Sequence, residues 1–171
     1  MKNGNIITVF GSSKPQPGEA AYKTAYELGR ALASAGYTVC NGGYGGTMEA
    51  GARGAKDAGG RTIGVTCGIF GRSGPNAFLD KIIETDSLYP RLTKLIELGD
   101  GYIVLPGGSG TLVELSLVWE MVAKKLMCPK PIVLMGDFWK PVIDISAIER
   151  PKTVELIQYA HSVEDAVKRL S

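Results

Sequence analysis

Gly101 to Glu120 reads GYIVLPGGSGTLVELSLVWE. Tyr102, Ile103, Val104 and Leu105 form a short apolar run rich in strand formers. Pro106 to Gly110 is a glycine loop. From Thr111 onward, Leu112, Leu115, Val118, Trp119 and Val122 recur at helical spacing. The stretch therefore predicts a strand, a glycine turn and a helix in immediate succession. Such a turn points bare backbone N–H groups and the positive end of a helix dipole at whatever lies above it. Glycines let a ligand approach where a Cβ would stand in the way. Thr111 suits an N-cap and Glu114 follows three residues later, which predicts a capping box. The unit is suited to hold an anion, most simply a phosphate.

The same alternation extends in both directions. Asn5 to Phe10 (NIITVF) reads as a buried strand followed at once by Gly11-Ser12-Ser13. Glu19 to Ala35 reads as a helix stopped by Gly36, and Tyr37 to Cys40 as a second strand. A second glycine loop, Asn41 to Gly46, leads into a helix opened by Thr47. Arg61 to Thr66 is a third strand, Cys67 to Phe78 an irregular segment, and Lys81 to Glu84 a weak strand. Leu88 to Leu98 is a helix, with Pro90 in its first turn. Beyond the central stretch, Pro131 to Met135 reads as a strand and Phe138 to Ile148 as a helix. Val154 to Tyr159 is the expected last strand, and Ser162 the cap of a terminal helix over Val163 to Leu170. Short continuous apolar strands alternating with helices predict one α/β domain over residues 1–171: a Rossmann-like, doubly wound parallel sheet in three layers. Ligands of such sheets bind beyond the carboxyl ends of the strands, where all three glycine loops fall.

Composition narrows the function. The chain has 171 residues, 44% hydrophobic and 21% charged, which suits one globular domain. A net charge of +2 gives no reason to expect nucleic acid or an anionic membrane as partner. No apolar run approaches a membrane span, and the first residues lack the layout of a signal peptide, so a cytoplasmic location is expected. Cys40, Cys67 and Cys128 form no CxxC and read as reduced, small hydrophobic residues. One histidine, His161, argues against a histidine-built metal site or a serine–histidine triad. Neither a metal nor a cofactor is expected. The dinucleotide fingerprint fails, because Val113 stands where the last glycine belongs, and no G-K-[ST] of a Walker A loop occurs.

Pro106 to Glu114, PGGSGTLVE, carries a PGGxGTxxE motif. With it the chain resembles the LONELY GUY (LOG) family, proteins once called lysine decarboxylase-like and similar to cytokinin riboside 5′-monophosphate phosphoribohydrolases. Phe10-Gly11-Ser12-Ser13 is similar to the family's GSS after its first strand. Asn41 to Ala50, NGGYGGTMEA, resembles its GGGxxGLMG segment. The resemblance runs from Ile6 to about Met135. The family's adjacent Arg-Lys pair falls on Arg91 and Leu92, so the arginine is kept and the lysine is not.

The resemblance implies hydrolysis of the N-glycosidic bond of a nucleoside 5′-monophosphate, without a cofactor. Glu114 would be the catalytic carboxylate and Arg91 the catalytic cation. Gly107, Gly108, Ser109, Gly110 and Thr111 would hold the phosphate, and Ser12, Gly45, Gly46 and Met48 would line the nucleotide pocket. Tyr44 is read as a rim aromatic or a lid over a base. The alternative is a non-catalytic nucleotide or molybdopterin-cofactor carrier, a related branch on the same scaffold. Leu92 in the lysine position speaks for that branch. A homodimer or higher homo-oligomer is also implied. Lysine decarboxylation is rejected, since no lysine stands in a context suited to pyridoxal phosphate.

Overall fold

A computed structural model of the chain describes residues 5–68 and 74–171. Seven parallel strands form one sheet in the order β4-β3-β2-β1-β5-β6-β7. They are β1 (Ile6–Phe10), β2 (Thr38–Asn41), β3 (Thr62–Cys67), β4 (Lys81–Thr85), β5 (Gly101–Val104), β6 (Ile132–Met135) and β7 (Ile157–Ala160). The helices are α1 (Ala20–Ser34), α2 (Thr47–Asp57), α3 (Leu88–Leu98), α4 (Ser109–Ala123), α5 (Lys140–Ala147) and α6 (Val163–Lys168).

The strands are short and apolar because both faces of the sheet are covered. Ile7, Val9, Ile103 and Leu105 pack under α1, α2 and α6, around Leu28, Leu32 and Ala50. Phe10, Tyr102, Val104 and Leu134 face the other way, toward Leu95, Leu115, Val118 and Ile143 of α3, α4 and α5. This is the expected three-layer, doubly wound architecture.

Helices α1 and α2 approach closely because glycine removes the side chains between them. A Cβ on Gly29 would lie 2.0 Å from the Gly51 carbonyl oxygen, and one on Gly54 would lie 2.0 Å from that of Tyr26.

Strand order places the site. From β1 the chain steps outward through β2, β3 and β4. Helix α3 then carries it back, and β5 pairs with the other side of β1, matching Thr8 to Tyr102. The loops after β1 and β5 therefore diverge to opposite faces and leave a crevice between them, the topological switch point of such sheets.

Near the end of the chain the structure departs from the expected elements. Pro151–Leu156 is a 3-10 helix, and β7 begins only at Ile157. Pro151 presets the first turn. The Thr153 carbonyl accepts a hydrogen bond from Trp119 Nε1 at 2.9 Å, which engages that segment with α4 rather than with a strand. The helix expected over Phe138 to about Ile148, starting near Trp139, is α5, with Trp139 and Ile148 at its caps; Trp139 Nε1 donates to the Leu105 carbonyl at 3.0 Å. Cys67 closes β3 instead of opening an irregular segment. Part of that segment, 69–73, lies outside the described residues. Ser162 caps α6 as expected, accepting from the Asp165 N–H at 3.1 Å. Among the described residues no helix is long and apolar enough to cross a membrane.

Candidate functional site

Above the switch point lies a cavity of about 740 Å³. The loop after β1 contributes Gly11, Ser12, Ser13 and Lys14, and the loop after β5 contributes Gly107 and Gly108. Gly42, Tyr44 and Met48 enter from the β2–α2 side, Leu88, Arg91 and Leu92 from α3, and Ser109 to Thr111, Val113 and Glu114 from α4. All three glycine loops thus contribute to one crevice.

The capping box does not form. Helix α4 begins at Ser109 with Gly108 as its N-cap, and no side chain of the described residues caps it. Thr111 is already in the first turn and donates its hydroxyl to the Gly11 carbonyl at 3.0 Å, tying the β1 loop to α4. Glu114 lies one turn further along and reaches the cavity instead of its helix terminus. The first N–H groups of α4 are therefore left to the cavity, beside glycines that leave room for a ligand. Around Gly108 and Gly110 a Cβ would meet nothing within 4 Å.

Arg91 and Glu114 meet inside the cavity. Arg91 Nη1 lies 3.6 Å from Glu114 Oε1, with the side chains only 8% and 11% exposed. The solvated surface pairing with Glu97 or Asp100 that a helix arginine suggests does not occur. Arg91 Nε donates to the Val65 carbonyl at 2.8 Å and Nη2 to the Gly42 carbonyl at 3.2 Å. Glu97 pairs instead with exposed Lys94. Burial raises the Glu114 carboxyl pKa to about 7, although the Arg91 charge pulls it down. A carboxyl of that kind exchanges a proton near neutral pH.

Ser12 and Met48 line the cavity, as do Gly107 to Thr111. Gly45 and Gly46 stand outside the lining. Gly46, at φ 68°, packs its Cα against the β1 loop, where a Cβ would come within 2.4 Å of the Ser12 carbonyl oxygen. Thr47 fastens the same contact, donating its backbone N–H and its hydroxyl to Ser12 O at 2.9 and 3.0 Å. Tyr44 is neither rim nor lid. It is 6% exposed, and its hydroxyl donates to the Cys67 carbonyl and accepts from the Cys67 N–H, both at 2.8 Å. Leu92, in the position of the family lysine, is buried in the cavity wall. Lys14 is a cation of the lining that the sequence reading passed over as part of a Pro/Gly loop. Its place directly after the GSS turn was the available signal. Leu88 and Val113 were also missed, and both are partly exposed at 39% and 47%. Among the described residues no cluster of three or more metal-ligating side chains occurs.

A seven-stranded parallel sheet covered on both faces, with a crevice at its switch point that holds a buried carboxylate–guanidinium pair, defines a Rossmann-like α/β protein. The chain belongs to the SLOG cluster4 family, whose model matches residues 4–167. It is 36% identical over 172 residues to a cytokinin riboside 5′-monophosphate phosphoribohydrolase of Mycobacterium tuberculosis, covering 95% of this chain and 91% of the relative. A protein of that name from Rhodococcoides fascians is 30% identical, with 94% and 86% covered. Among solved structures, the molybdenum cofactor binding protein of Rippkaea orientalis superposes with a TM-score of 0.80 at 26% identity, covering 98% and 96% of the two chains. The molybdenum cofactor carrier protein of Chlamydomonas reinhardtii gives 0.75 at 29% identity, with 96% and 94% covered. The LONELY GUY resemblance read from PGGSGTLVE is thereby borne out.

Proposed function

We propose that the protein hydrolyses the N-glycosidic bond of a nucleoside 5′-monophosphate, of the AMP or cytokinin riboside type, to free base and ribose 5-phosphate. The observation that carries this reading is the buried Arg91–Glu114 pair, 3.6 Å apart, set beside the open N-terminus of α4 in one crevice. Breaking the C1′–N bond leaves its electron pair on the base and oxocarbenium character on the ribose. Glu114 as carboxylate stabilises that charge and takes a proton from the water whose oxygen bonds to C1′. The departing base is protonated in turn. A carboxyl with a pKa of about 7 suits both directions of proton transfer at neutral pH. Arg91 keeps enough of Glu114 ionised to serve as base and steadies negative charge as it develops. The backbone of Gly107 to Thr111, at the positive end of α4, holds the phosphate, with Lys14 beside it.

Support for the enzyme also comes from the relatives named as phosphoribohydrolases. A second reading, a carrier of a pterin phosphate, is favoured by Leu92 in place of the family lysine and by the two cofactor-binding neighbours. Incubation with AMP and a panel of nucleoside 5′-monophosphates, followed by chromatography, separates the two. Free base and ribose 5-phosphate from the wild type, lost in Glu114→Gln, is the result expected of the hydrolase. Tight binding of a pterin phosphate with no base released from any nucleotide would install the carrier.

We further infer a homodimer in the cytoplasm. Exposed Leu88, Tyr89 and Val113 stand on the turns of α3 and α4 that border the cavity, where a second copy would cover them. Sedimentation of the purified protein tests this, and a monomer throughout the micromolar range would dismiss it.

A further inference from the structure

We propose that Tyr44 is a positioning residue for Arg91, its ring acting as the seat that holds the guanidinium toward Glu114. Arg91 Cζ lies 5.7 Å from the centroid of the Tyr44 ring, within the range of cation–π attraction. A long arginine side chain has many rotamers to lose, so holding it in one pose inside a cavity needs contacts from several directions. Here they come from the Val65 carbonyl on Nε, the Gly42 carbonyl on Nη2, and the aromatic face. The ring attracts the cation without offering an acceptor oxygen that would compete with the Glu114 carboxylate.

The seat is itself fixed. The Tyr44 hydroxyl makes two hydrogen bonds to the backbone of Cys67 at the end of β3. Asn76 Nδ2 donates to the Tyr44 carbonyl at 3.0 Å. The preceding turn is closed by Asn41, whose Oδ1 accepts from the Gly43 N–H at 2.8 Å while its Nδ2 donates to the Met48 carbonyl at 3.0 Å. There is no slack on the neighbouring side, since a Cβ on Gly42 would lie 2.0 Å from Arg91 Nη2. A side chain anchored in this way to a strand end transmits the rigidity of the sheet to the guanidinium. That role differs from a lid, which would need an exposed and mobile ring.

The kinetic half of the test rests on the proposed hydrolase reading, and the spectroscopic half does not. Wild type, Tyr44→Phe and Tyr44→Leu are compared by the carbon-13 titration of the Glu114 carboxyl and by kcat and KM for AMP. Arg91 on α3 is the charged group that pairs with Glu114, and Lys14 on the β1–α1 loop lines the same cavity. Since the Arg91 charge lowers the Glu114 pKa, a guanidinium that leaves its seat raises the midpoint. The expected result for Tyr44→Leu is a midpoint displaced upward. Its kcat falls roughly tenfold to a hundredfold, with KM within about threefold. Tyr44→Phe keeps the ring but loses its two hydrogen bonds to Cys67, so its kcat and midpoint fall between those of wild type and Tyr44→Leu, the partial rescue that an anchored cation–π seat requires. A folded Tyr44→Leu with the wild-type midpoint and kcat overturns the positioning role. If Tyr44→Leu does not fold, the wild type decides: the Arg91 Nε–H proton must exchange slowly and show cross-relaxation to the Tyr44 ring, and its absence overturns the role. A protein that releases no base but shifts its Glu114 midpoint in Tyr44→Leu loses the hydrolase reading and keeps the seat.

Discussion

Glu114 on α4 and Arg91 on α3 bring opposite charges to within 3.6 Å while both side chains are about nine-tenths buried. Desolvation dominates the balance, so the carboxyl titrates at about 7 instead of 4.5. A carboxyl that holds its proton more tightly when folded stabilises the fold fully below its unfolded pKa. That contribution is lost as pH rises through the folded value. The wild type should therefore lose stability between about pH 4.5 and about pH 7, by up to about 1.4 kcal/mol per pH unit from this group. Glu114→Gln does not titrate and should lack that slope. Urea unfolding of both proteins at about pH 5 and about pH 7 measures it, and parallel curves would refute the assignment.

Replacing Arg91 by lysine keeps the charge but not the geometry. One ammonium cannot reproduce the fork that reaches the Val65 carbonyl, the Gly42 carbonyl and Glu114 together. Buried carbonyls left without a donor cost about 1–3 kcal/mol. Arg91→Lys should unfold at lower urea by an amount in that range and release base at least roughly tenfold more slowly. Wild-type stability together with wild-type turnover would show that a point charge suffices.

What the sequence disclosed was the architecture and the loops, because both rest on local pattern. PGGSGTLVE declared a strand, a turn and a helix, and GSS and NGGYGG fell at strand ends of the same sheet edge. Boundaries failed where tertiary contacts decided them. Thr111 carries the local chemistry of an N-cap, yet its hydroxyl is taken by Gly11, a hundred positions away in sequence. Once that bond forms, the helix starts at Ser109 and Glu114 is released from capping to face the cavity. Val154 and Leu156 have strand-like composition, but Pro151 and the Trp119 contact turn them into a 3-10 segment. Tyr44 was misread because spacing cannot say whether an aromatic in a glycine loop points outward or back under a strand end. Lys14 escaped because its one local signal, the place directly after the GSS turn, is masked by a Pro/Gly loop that reads as solvated.

Lys14 offers a prediction that separates binding from chemistry. It lines the cavity next to the phosphate-suited loop and makes no contact with the Arg91–Glu114 pair among the described hydrogen bonds and ion pairs. Its side chain is exposed, so the attraction to a phosphate is partly screened. Lys14→Ala should raise KM for a nucleoside monophosphate by roughly fivefold to tenfold, about 1 kcal/mol of binding, and leave kcat nearly unchanged. With the corresponding nucleoside, which lacks the phosphate, the variant and wild type should behave alike. An equal loss with both substrates would place Lys14 near the base or ribose instead.

Two glycines that look alike in sequence should answer differently to the same substitution. Gly29 lies in the middle of α1, where alanine is favoured by about 1 kcal/mol in helix propensity. Its Cβ, however, would sit 2.0 Å from the Gly51 carbonyl oxygen of α2. Backbone cannot yield as a side-chain tip can, so the helices must part, and overpacking of that kind costs about 1–3 kcal/mol. Gly110 lies in the first turn of α4 with open space around its Cβ position. Gly110→Ala should therefore fold at least as stably as wild type while intruding on the ligand, raising KM and leaving the melting temperature unchanged. Gly29→Ala should do the reverse, lowering the melting temperature with KM intact. Thermal unfolding and steady-state kinetics on the pair measure both effects. If Gly110→Ala instead leaves KM untouched, the bare backbone of the α4 N-terminus does not contact the substrate and the phosphate lies elsewhere in the crevice.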